Sequence, residues 1–343
     1  MGRARPLRPA GWSVVKVLVT GASGLLGAGT ARALAARGDQ VTVLQRRPAG
    51  LGLPEVLADV ADPAAVRRAV DGQDAVVHLA AKVNITGAWP AYQRANIVGT
   101  AAVVAACRAA GVPRLVHVSS PSVAHAGESL VGAPAGVADP AHARGAYARS
   151  KARAEQVALA ADGAGLAVVA VRPHLVWGPG DPQLIERVVA RARAGRLFTV
   201  GSGTALLDST YVDNAVDALV AALDRCAAAH GQALVVSNGE PRPVADLFDS
   251  ICAAAGVPGP QRRVPVGLAY AAGVAAEGVW AVRARLRGRE EDPPLTRFLA
   301  GQLSTAHWFD QRHTRDVLGC VPQVSLDQGF ALLADWYRGL GAC

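Results

Sequence analysis

The segment VVKVLVTGASGLLGAGTARALAARG, residues 14–38, constrains the fold more than any other part of the chain. A β-branched run over 14–20 stops at Gly21. A helical pattern over 25–38 then ends at Gly38, a C-cap residue type. In this strand–turn–helix setting, Gly21, Gly24 and Gly27 have separate tasks: a tight turn, close approach of backbone to a pyrophosphate, and close packing of helix on strand. The turn Gly21, Ser23, Gly24, Leu25, Leu26 and Gly27 presents free backbone N–H groups and the positive end of a helix dipole to phosphates. A glycine triplet alone is no more than a turn; the setting predicts a dinucleotide cradle.

The same rhythm continues downstream. Strands are predicted over 40–45, 54–59, 74–81, 114–120 and 166–173. Helices are predicted over 63–70, opened by Asp62 and Pro63, and over 96–111 and 146–161. The near-continuous Val/Leu runs suit parallel strands buried on both faces. Their alternation with helices predicts an α/β fold, a Rossmann-like doubly wound parallel sheet. After Pro173 the rhythm breaks at WGPGDP, 177–182, and a smaller C-terminal substrate lobe is expected. The reading is a disordered basic tail over 1–12, a dinucleotide-binding domain over 13–173, and a mainly substrate-binding lobe over 174–343 interleaved with late elements of the sheet. No internal repeat is visible.

Composition narrows the partners. Of 343 residues, 51% are hydrophobic and 18% charged, enough apolar content for a sizeable core. The net charge of +8 comes from scattered arginines, apart from the tail and the run Arg283 to Arg289, so no nucleic-acid partner is expected. The five cysteines, Cys107, Cys226, Cys252, Cys320 and Cys343, are odd in number and form no CxxC pair. That pattern suits reduced thiols and a cytoplasmic protein, with no metal site. No uninterrupted apolar run reaches the roughly 18 residues of a membrane span. Residues 264–288 read as an amphipathic helix pair ending in arginines: either a membrane-surface or acyl-chain-covering element, or a core helix of the small lobe.

Tyr147 and Lys151 lie four apart in AYARSK, and Ser120 lies upstream in VHVSSPSV. Beside a dinucleotide, a tyrosine acid implies hydride transfer to a carbonyl or from an alcohol carbon. Lys151, one helical turn from Tyr147, shares its face, and its charge, together with an oxidised nicotinamide, is expected to favour tyrosinate. The second strand ends in Gln45, Arg46 and Arg47, with no carboxylate to hold a ribose diol. Guanidinium suits a 2′-phosphate, so NADP(H) is favoured over NAD(H); otherwise the two arginines are solvated loop charges. Asp59 and Val60 are candidates to contact adenine, with Asp59 alternatively a loop cap. Ala80 and Ala81 leave space for the dinucleotide, or are simple packing choices.

TGASGLLG, DV at 59–60, HLAA at 78–81, NIVGT at 96–100, VSS at 118–120, YxxxK at 147–151 and RP at 172–173 together resemble the extended short-chain dehydrogenase/reductases. Within them the chain looks like the 3β-hydroxysteroid dehydrogenase/isomerase branch. RPHLVWGPGD, DSTYVDNAVDA, SNGEP, PLTRFLAGQL and HWF are especially similar to bacterial 2-alkyl-3-oxoalkanoate reductases of olefin biosynthesis. The resemblance implies that Tyr147 is the acid and that Lys151 also bonds the nicotinamide ribose. It implies that Ser120 rather than Ser119 meets the substrate oxygen, with Ser119 near the nicotinamide. It further implies a backbone-organising Asn96, cofactor contacts at Lys82 and Pro173, and a homodimer. The substrate pocket is expected from Val83, Asn84, Pro121, Ser122, His174, Trp177 and Tyr211. His174 is either a ligand for a carboxylate or thioester oxygen, or structural.

The expected activity is an NADPH-dependent ketoreductase acting on a β-keto acyl or similar small hydrophobic substrate. An oxidative 3β-hydroxysteroid dehydrogenase is an alternative. A nucleotide-sugar epimerase is another, but Leu207-Asp208-Ser209 stands where an Arg-containing string often sits in epimerases. A dinucleotide-sensing binding module is the non-enzyme alternative, against which the retained Tyr147/Lys151 pair argues.

Overall fold

The computed structural model describes residues 14–84, 87–125, 127–287 and 296–341. The tail read over 1–12 lies outside the described residues. Seven parallel strands form the main sheet: β1 (Lys16–Thr20), β2 (Gln40–Gln45), β3 (Glu55–Leu57), β4 (Ala75–His78), β5 (Arg114–Val118), β6 (Ala167–Pro173) and β7 (Ala233–Val236). Their order is β7-β6-β5-β4-β1-β2-β3. The direction of winding reverses between β1 and β4, and a doubly wound sheet opens its ligand crevice at such a switch point.

The apolar runs are explained by the two faces of this sheet. Val17 and Val19 of β1 pack with Leu34 of α1 (Leu25–Ala36) and with Leu219 and Leu223 of α5 (Val212–Asp224). Leu18 points the other way, into a core with Val66 of α2 (Pro63–Val70), Val103 and Cys107 of α3 (Gly99–Ala110), and Ala158 of α4 (Gly145–Leu159). Alternate side chains therefore leave water on both faces, each contributing about 1.5–3 kcal/mol when fully buried. α2 starts as the sequence predicts: Asp62 Oδ1 accepts the N–H groups of Ala64 and Ala65, with Pro63 at the first position.

The helix expected over 96–111 begins earlier. A turn over Trp89–Tyr92 runs into a π-helical turn over Gln93–Val98 and then into α3. The wide turn aims Asn96 into the protein, where it is buried and held by hydrogen bonds to the Lys82 backbone and the Ser150 hydroxyl.

The smaller lobe has its own core around Trp177, Ile185, Phe248 and Phe330. It also has a small sheet, in the order Arg242–Pro243, Leu206–Leu207, His307–Phe309 and Leu130–Ala133. The last of these strands comes from the first half of the chain, between Ser120 and Tyr147, and pairs with His307–Phe309. In the opposite direction, β7 and α5 return from the second half to complete the main sheet and its core.

The helix pair expected over 264–288 is corrected: one continuous helix, α6, runs from Val266 to Arg287 after a short strand at Arg262–Val264. Gly273 does not break it, because that glycine is a contact point. A Cβ there would lie 2.8 Å from the backbone nitrogen of Arg297, at the start of the helix Arg297–Ser304. The outer side of α6 leaves Leu268, Val274 and Val279 at least half exposed.

Candidate active site

The cradle is tight. Gly21 has φ +80°, and a Cβ on it would fall 2.8 Å from Ala80 N, across the switch point. A Cβ on Gly27 would fall 2.3 Å from Gly21 O, so only glycine lets α1 pack against its own entry turn. α1 starts at Leu25, and Gly24 at its N-cap supplies no side-chain cap. Its first-turn N–H groups are thus available to an anion, and Ser23 and Gly24 are exposed beside them. These features fit a dinucleotide pyrophosphate.

A buried polar path runs from this cradle toward Tyr147. Ala80 N–H donates to Thr20 Oγ1 over 3.1 Å. Thr100 Oγ1 donates to Asn96 O, so it accepts from His78 Nε2, 3.0 Å away. His78 Nδ1 is then bare and accepts the Thr20 hydroxyl at 2.7 Å. Burial, and secondarily the Lys151 charge, hold His78 down to about 3, which keeps this ring neutral. Asn96 Nδ2 donates to Ser150 Oγ, which donates to Tyr147 O; Asn96 Oδ1 accepts Lys82 N–H over 2.7 Å.

At the end of β2, Gln45 is buried and held by Glu55, whereas Arg46 and Arg47 are exposed. Asp59 acts as a loop cap, its Oδ1 accepting Ala61 N–H, while its Oδ2 pairs with Arg94 at 3.2 Å. Burial opposes ionisation of Asp59, but these bonds and the charges of Arg94 and Arg46 leave it below the usual carboxylate value. Val60 is buried, and Ala80 and Ala81 are half-buried. The Lys82 ammonium lies over the Tyr92 ring. Val83 and Asn84 are exposed.

Ser120, Tyr147 and Lys151 meet beyond β5. Ser120 caps the 3₁₀ turn Pro121–Ala124, its Oγ accepting Ser122 N–H and lying 2.9 Å from Ser122 Oγ. It is near enough to the Tyr147 phenol to lower its pKa. Lys151 is 4% exposed and donates to Val118 O over 2.6 Å. Burial pushes Lys151 down to about 8, with Glu155 pulling the other way. Burial raises Tyr147 above its ordinary value, and Ser120 opposes this.

Ser119 N–H is bonded to Val171 O, and its buried Oγ has no hydrogen-bond partner. Pro173 closes β6, and Pro121 is buried beside half-buried Ser122. His174 is buried just past β6, edge-on to Phe309. Two pocket residues are placed elsewhere than expected. Trp177 is 1% exposed, stacked on Phe330 at 4.4 Å and bonded through Nε1 to Ser209. Tyr211 is edge-on to Trp177 in the same core. Large rings gain more from that core than from a pocket wall.

Sequence reading missed Arg94 and the ion pair of Arg172 with Glu155, both side chains 1% exposed. Arg172 Nε donates to Glu155 Oε2 over 2.8 Å and its other arm reaches the Ala135 and Gly136 carbonyls. The available signal was Glu155 itself, one helical turn beyond Lys151. Among the described residues no group of three or more His, Cys, Asp or Glu is placed to hold a metal.

A switch-point cradle facing a Ser/Tyr/Lys site, on this strand order, defines a nucleotide-linked oxidoreductase or epimerase. The chain belongs to the NAD dependent epimerase/dehydratase family, whose pattern matches residues 17–237. It is 44% identical over 328 residues to the 2-alkyl-3-oxoalkanoate reductase of Stenotrophomonas maltophilia, covering 93% of this chain and 98% of that protein. It is 31% identical over 299 residues to an Arabidopsis thaliana 3beta-hydroxysteroid-dehydrogenase/decarboxylase, covering 84% of this chain and 67% of that one. Among solved structures it is similar to MoeE5 in complex with UDP-glucose and NAD, with a TM-score of 0.73 and 26% identity over 95% of this chain and 99% of that one.

Proposed function

We propose that this protein is an NADPH-dependent ketoreductase that reduces a β-keto acyl or similar hydrophobic carbonyl compound to a secondary alcohol. The observation that carries the reading is that Tyr147 and buried Lys151 lie one turn apart on α4, with the Lys151 ammonium bonded to Val118 O two residues before Ser120, at the carboxyl ends of the strands that bear the cradle. The similarity to 2-alkyl-3-oxoalkanoate reductase supports the substrate class.

The Gly21–Gly27 cradle would hold NADPH, which would supply the hydride for the carbonyl carbon. Ser120 Oγ bonds the carbonyl oxygen and stabilises the charge that develops on it. Tyr147 gives that oxygen its proton; a neutral phenol, which burial favours here, is the form an acid needs. Lys151 holds the nicotinamide ribose and its charge stabilises the tyrosinate left behind. Arg46 and Arg47 take the 2′-phosphate, with Asp59 and Val60 beside the adenine, Ala80 and Ala81 against the dinucleotide, and Lys82, Asn96, Ser119 and Pro173 around the nicotinamide half. Pro121, Ser122, His174, Val83 and Asn84 line the carbonyl pocket. An epimerase reading is disfavoured at Asp208, which is fully buried and bonded to Phe309 N–H, with no arginine beside it in the sequence to take a diphosphate.

The surroundings suit this activity. The exposed Leu268, Val274 and Val279 of α6, with arginines in the sequence at 283, 285 and 287, support contact with an anionic membrane surface that carries lipophilic substrate. Among the described residues no helix is long and apolar enough to cross a membrane. A shallow groove between α3 and α4, lined by Ala101, Val104, Ala105, Val157 and Ala160, supports a homodimer. The free thiols of Cys107, Cys226, Cys252 and Cys320 suit the cytoplasm.

The deciding measurement is NADPH oxidation against a panel of 2-alkyl-3-keto acids, 3-ketosteroids and cyclic ketones. Turnover confined to the keto acids is expected. Activity on steroids alone would transfer the assignment to the sterol branch.

A further inference from the structure

His78 joins the cradle to the catalytic helix, yet no step of the reduction uses it. Thr20, the last residue of β1, precedes Gly21, and Ala80 lies against that glycine. His78 stands opposite Thr20 in the register of β1 and β4 and is 1% exposed. Each ring nitrogen holds one threonine: Nδ1 accepts the Thr20 hydroxyl at 2.7 Å, and Nε2 donates to Thr100 Oγ1 at 3.0 Å. The direction of donation is fixed from both ends. Thr100 commits its one hydroxyl hydrogen to Asn96 O at 2.7 Å, and Thr20 Oγ1 takes Ala80 N–H at 3.1 Å. His117 is the contrast. It pairs with His78 in the register of β4 and β5, with ring centroids 5.5 Å apart, and neither of its nitrogens has a hydrogen-bond partner. Of the two buried rings, only His78 connects anything.

The connection continues to Tyr147. Asn96 Nδ2 donates to Ser150 Oγ at 2.8 Å, and Ser150 Oγ donates to Tyr147 O at 2.8 Å. Tyr147 is the third residue of α4, and Arg144 at the N-cap supplies no side-chain cap. The first turn of a helix without a cap frays unless other bonds hold it. Here Asn96 holds it through Ser150. Asn96 is itself fixed by Thr100 at its carbonyl and by the Lys82 backbone at its side chain. Thr20, Asn96, Thr100 and Ser150 are each at most 1% exposed. A broken link therefore leaves a buried polar group bare, and its neighbours must move to cover it.

We propose that His78 is a positioning residue for Tyr147: its two hydrogen bonds couple Ala80, at the cradle, to the first turn of α4, so that a nucleotide filling the cradle steadies the phenol. This rests on the nucleotide and acid roles proposed for the cradle and Tyr147. A pyrophosphate against Gly21 and Ala80 bears on the Thr20 end, and the Tyr147 carbonyl lies at the other. Each link on the way is a hydrogen bond between buried groups. A displacement at one end is therefore passed on rather than absorbed by solvent.

The test follows amide hydrogen exchange over residues 145–151 by mass spectrometry, in the free protein and with NADPH or NADH, whichever binds more tightly. In the wild type the nucleotide should slow exchange of this turn by at least about fivefold, the lower end of ordinary coupling between sites. Thr20→Val and Thr100→Val keep the side-chain shape and should each abolish that difference while the nucleotide still binds. His78→Gln, which can accept from Thr20 and donate to Thr100, should retain it. A merely structural role would speed exchange in free and bound protein alike and leave the difference unchanged. With a 2-alkyl-3-keto acid, each threonine variant should lose at least about tenfold in kcat, against the roughly 10²-fold cost of misplacing a reacting group by about 1 Å. The double variant should be no slower than the slower single one, because either change breaks the same chain. A wild type without nucleotide-dependent protection, protection kept in both threonine variants, or losses in kcat that multiply in the double variant overturns the proposal. A wild type that shows the exchange difference but reduces no keto acid counts against the ketoreductase reading alone, and the coupling stands.

Discussion

Lys151 and Val118 are joined by a 2.6 Å hydrogen bond from the ammonium to the backbone carbonyl, two residues before Ser120. The bond ties α4 to the end of β5, so the lysine and the serine keep a fixed relation before any ligand arrives. Tyr147 is one turn before Lys151 on the same helix, and Ser120 is near enough to lower the pKa of its phenol.

Removing the phenol oxygen should therefore remove the acid and little else. Tyr147→Phe is expected to lower kcat by roughly 10²–10⁴-fold. The Kd for NADPH, followed by fluorescence, should stay within about twofold. Turnover near the wild-type rate would exclude Tyr147 as the proton donor.

Arg46 and Arg47 are exposed at the end of β2, with no carboxylate between them and the cradle. Arg46→Ala/Arg47→Ala should raise KM for NADPH by at least about tenfold, as expected for lost charge-assisted bonds. KM for NADH should move less than about twofold. Steady-state kinetics with both nucleotides reads the difference, and equal effects would reject the 2′-phosphate assignment.

The Arg172–Glu155 pair lies one turn past Lys151, with both side chains 1% exposed. Glu155→Gln leaves a buried guanidinium without its anion and should cost about 3–5 kcal/mol of stability. Urea unfolding measures this directly. A loss below about 1 kcal/mol would mean that the Ala135 and Gly136 carbonyls suffice for Arg172.

Acid should destabilise the fold earlier than carboxylate protonation would. His78 and His174 are held at about 3 and His307 at about 4, against an ordinary 6.5, and His117 lies well below it, burial being the main cause each time. The unfolded chain therefore binds more protons below pH 6.5, and each such histidine subtracts up to about 1.4 kcal/mol per pH unit from there downward. Asp208, pushed up to about 6 by burial, works in the opposite sense, costing stability as pH rises from 3.8 toward 6. The histidines outnumber it, so denaturation midpoints should fall between pH 6.5 and 5. A flat profile across that window would contradict the neutral, buried assignment.

Much of the Rossmann-like half was legible because period and punctuation agree there. Gly21 and Gly27, the Asp62-Pro63 start and the Val/Leu runs each report a local requirement that the fold meets locally. The site was legible only where chemistry sits at fixed spacing along one element, as with Tyr147 and Lys151 on α4. His125 and His307 are 182 residues apart in sequence, so no local pattern announces their contact. Trp177 and Tyr211 misled for a related reason: their rings suit a pocket wall and a core equally, and only the arrival of Phe330 from the far end of the chain decides between them. Over 264–288 the glycines suggested a break, whereas Gly273 serves a close approach that involves Arg297.

The strand Leu130–Ala133 leaves the catalytic segment between Ser120 and Tyr147 and is hydrogen-bonded beside His307–Phe309. Any displacement of the His307–Phe309 strand is therefore handed, through shared backbone hydrogen bonds, to the loop between serine and tyrosine, so the far half of the molecule holds the catalytic loop in place.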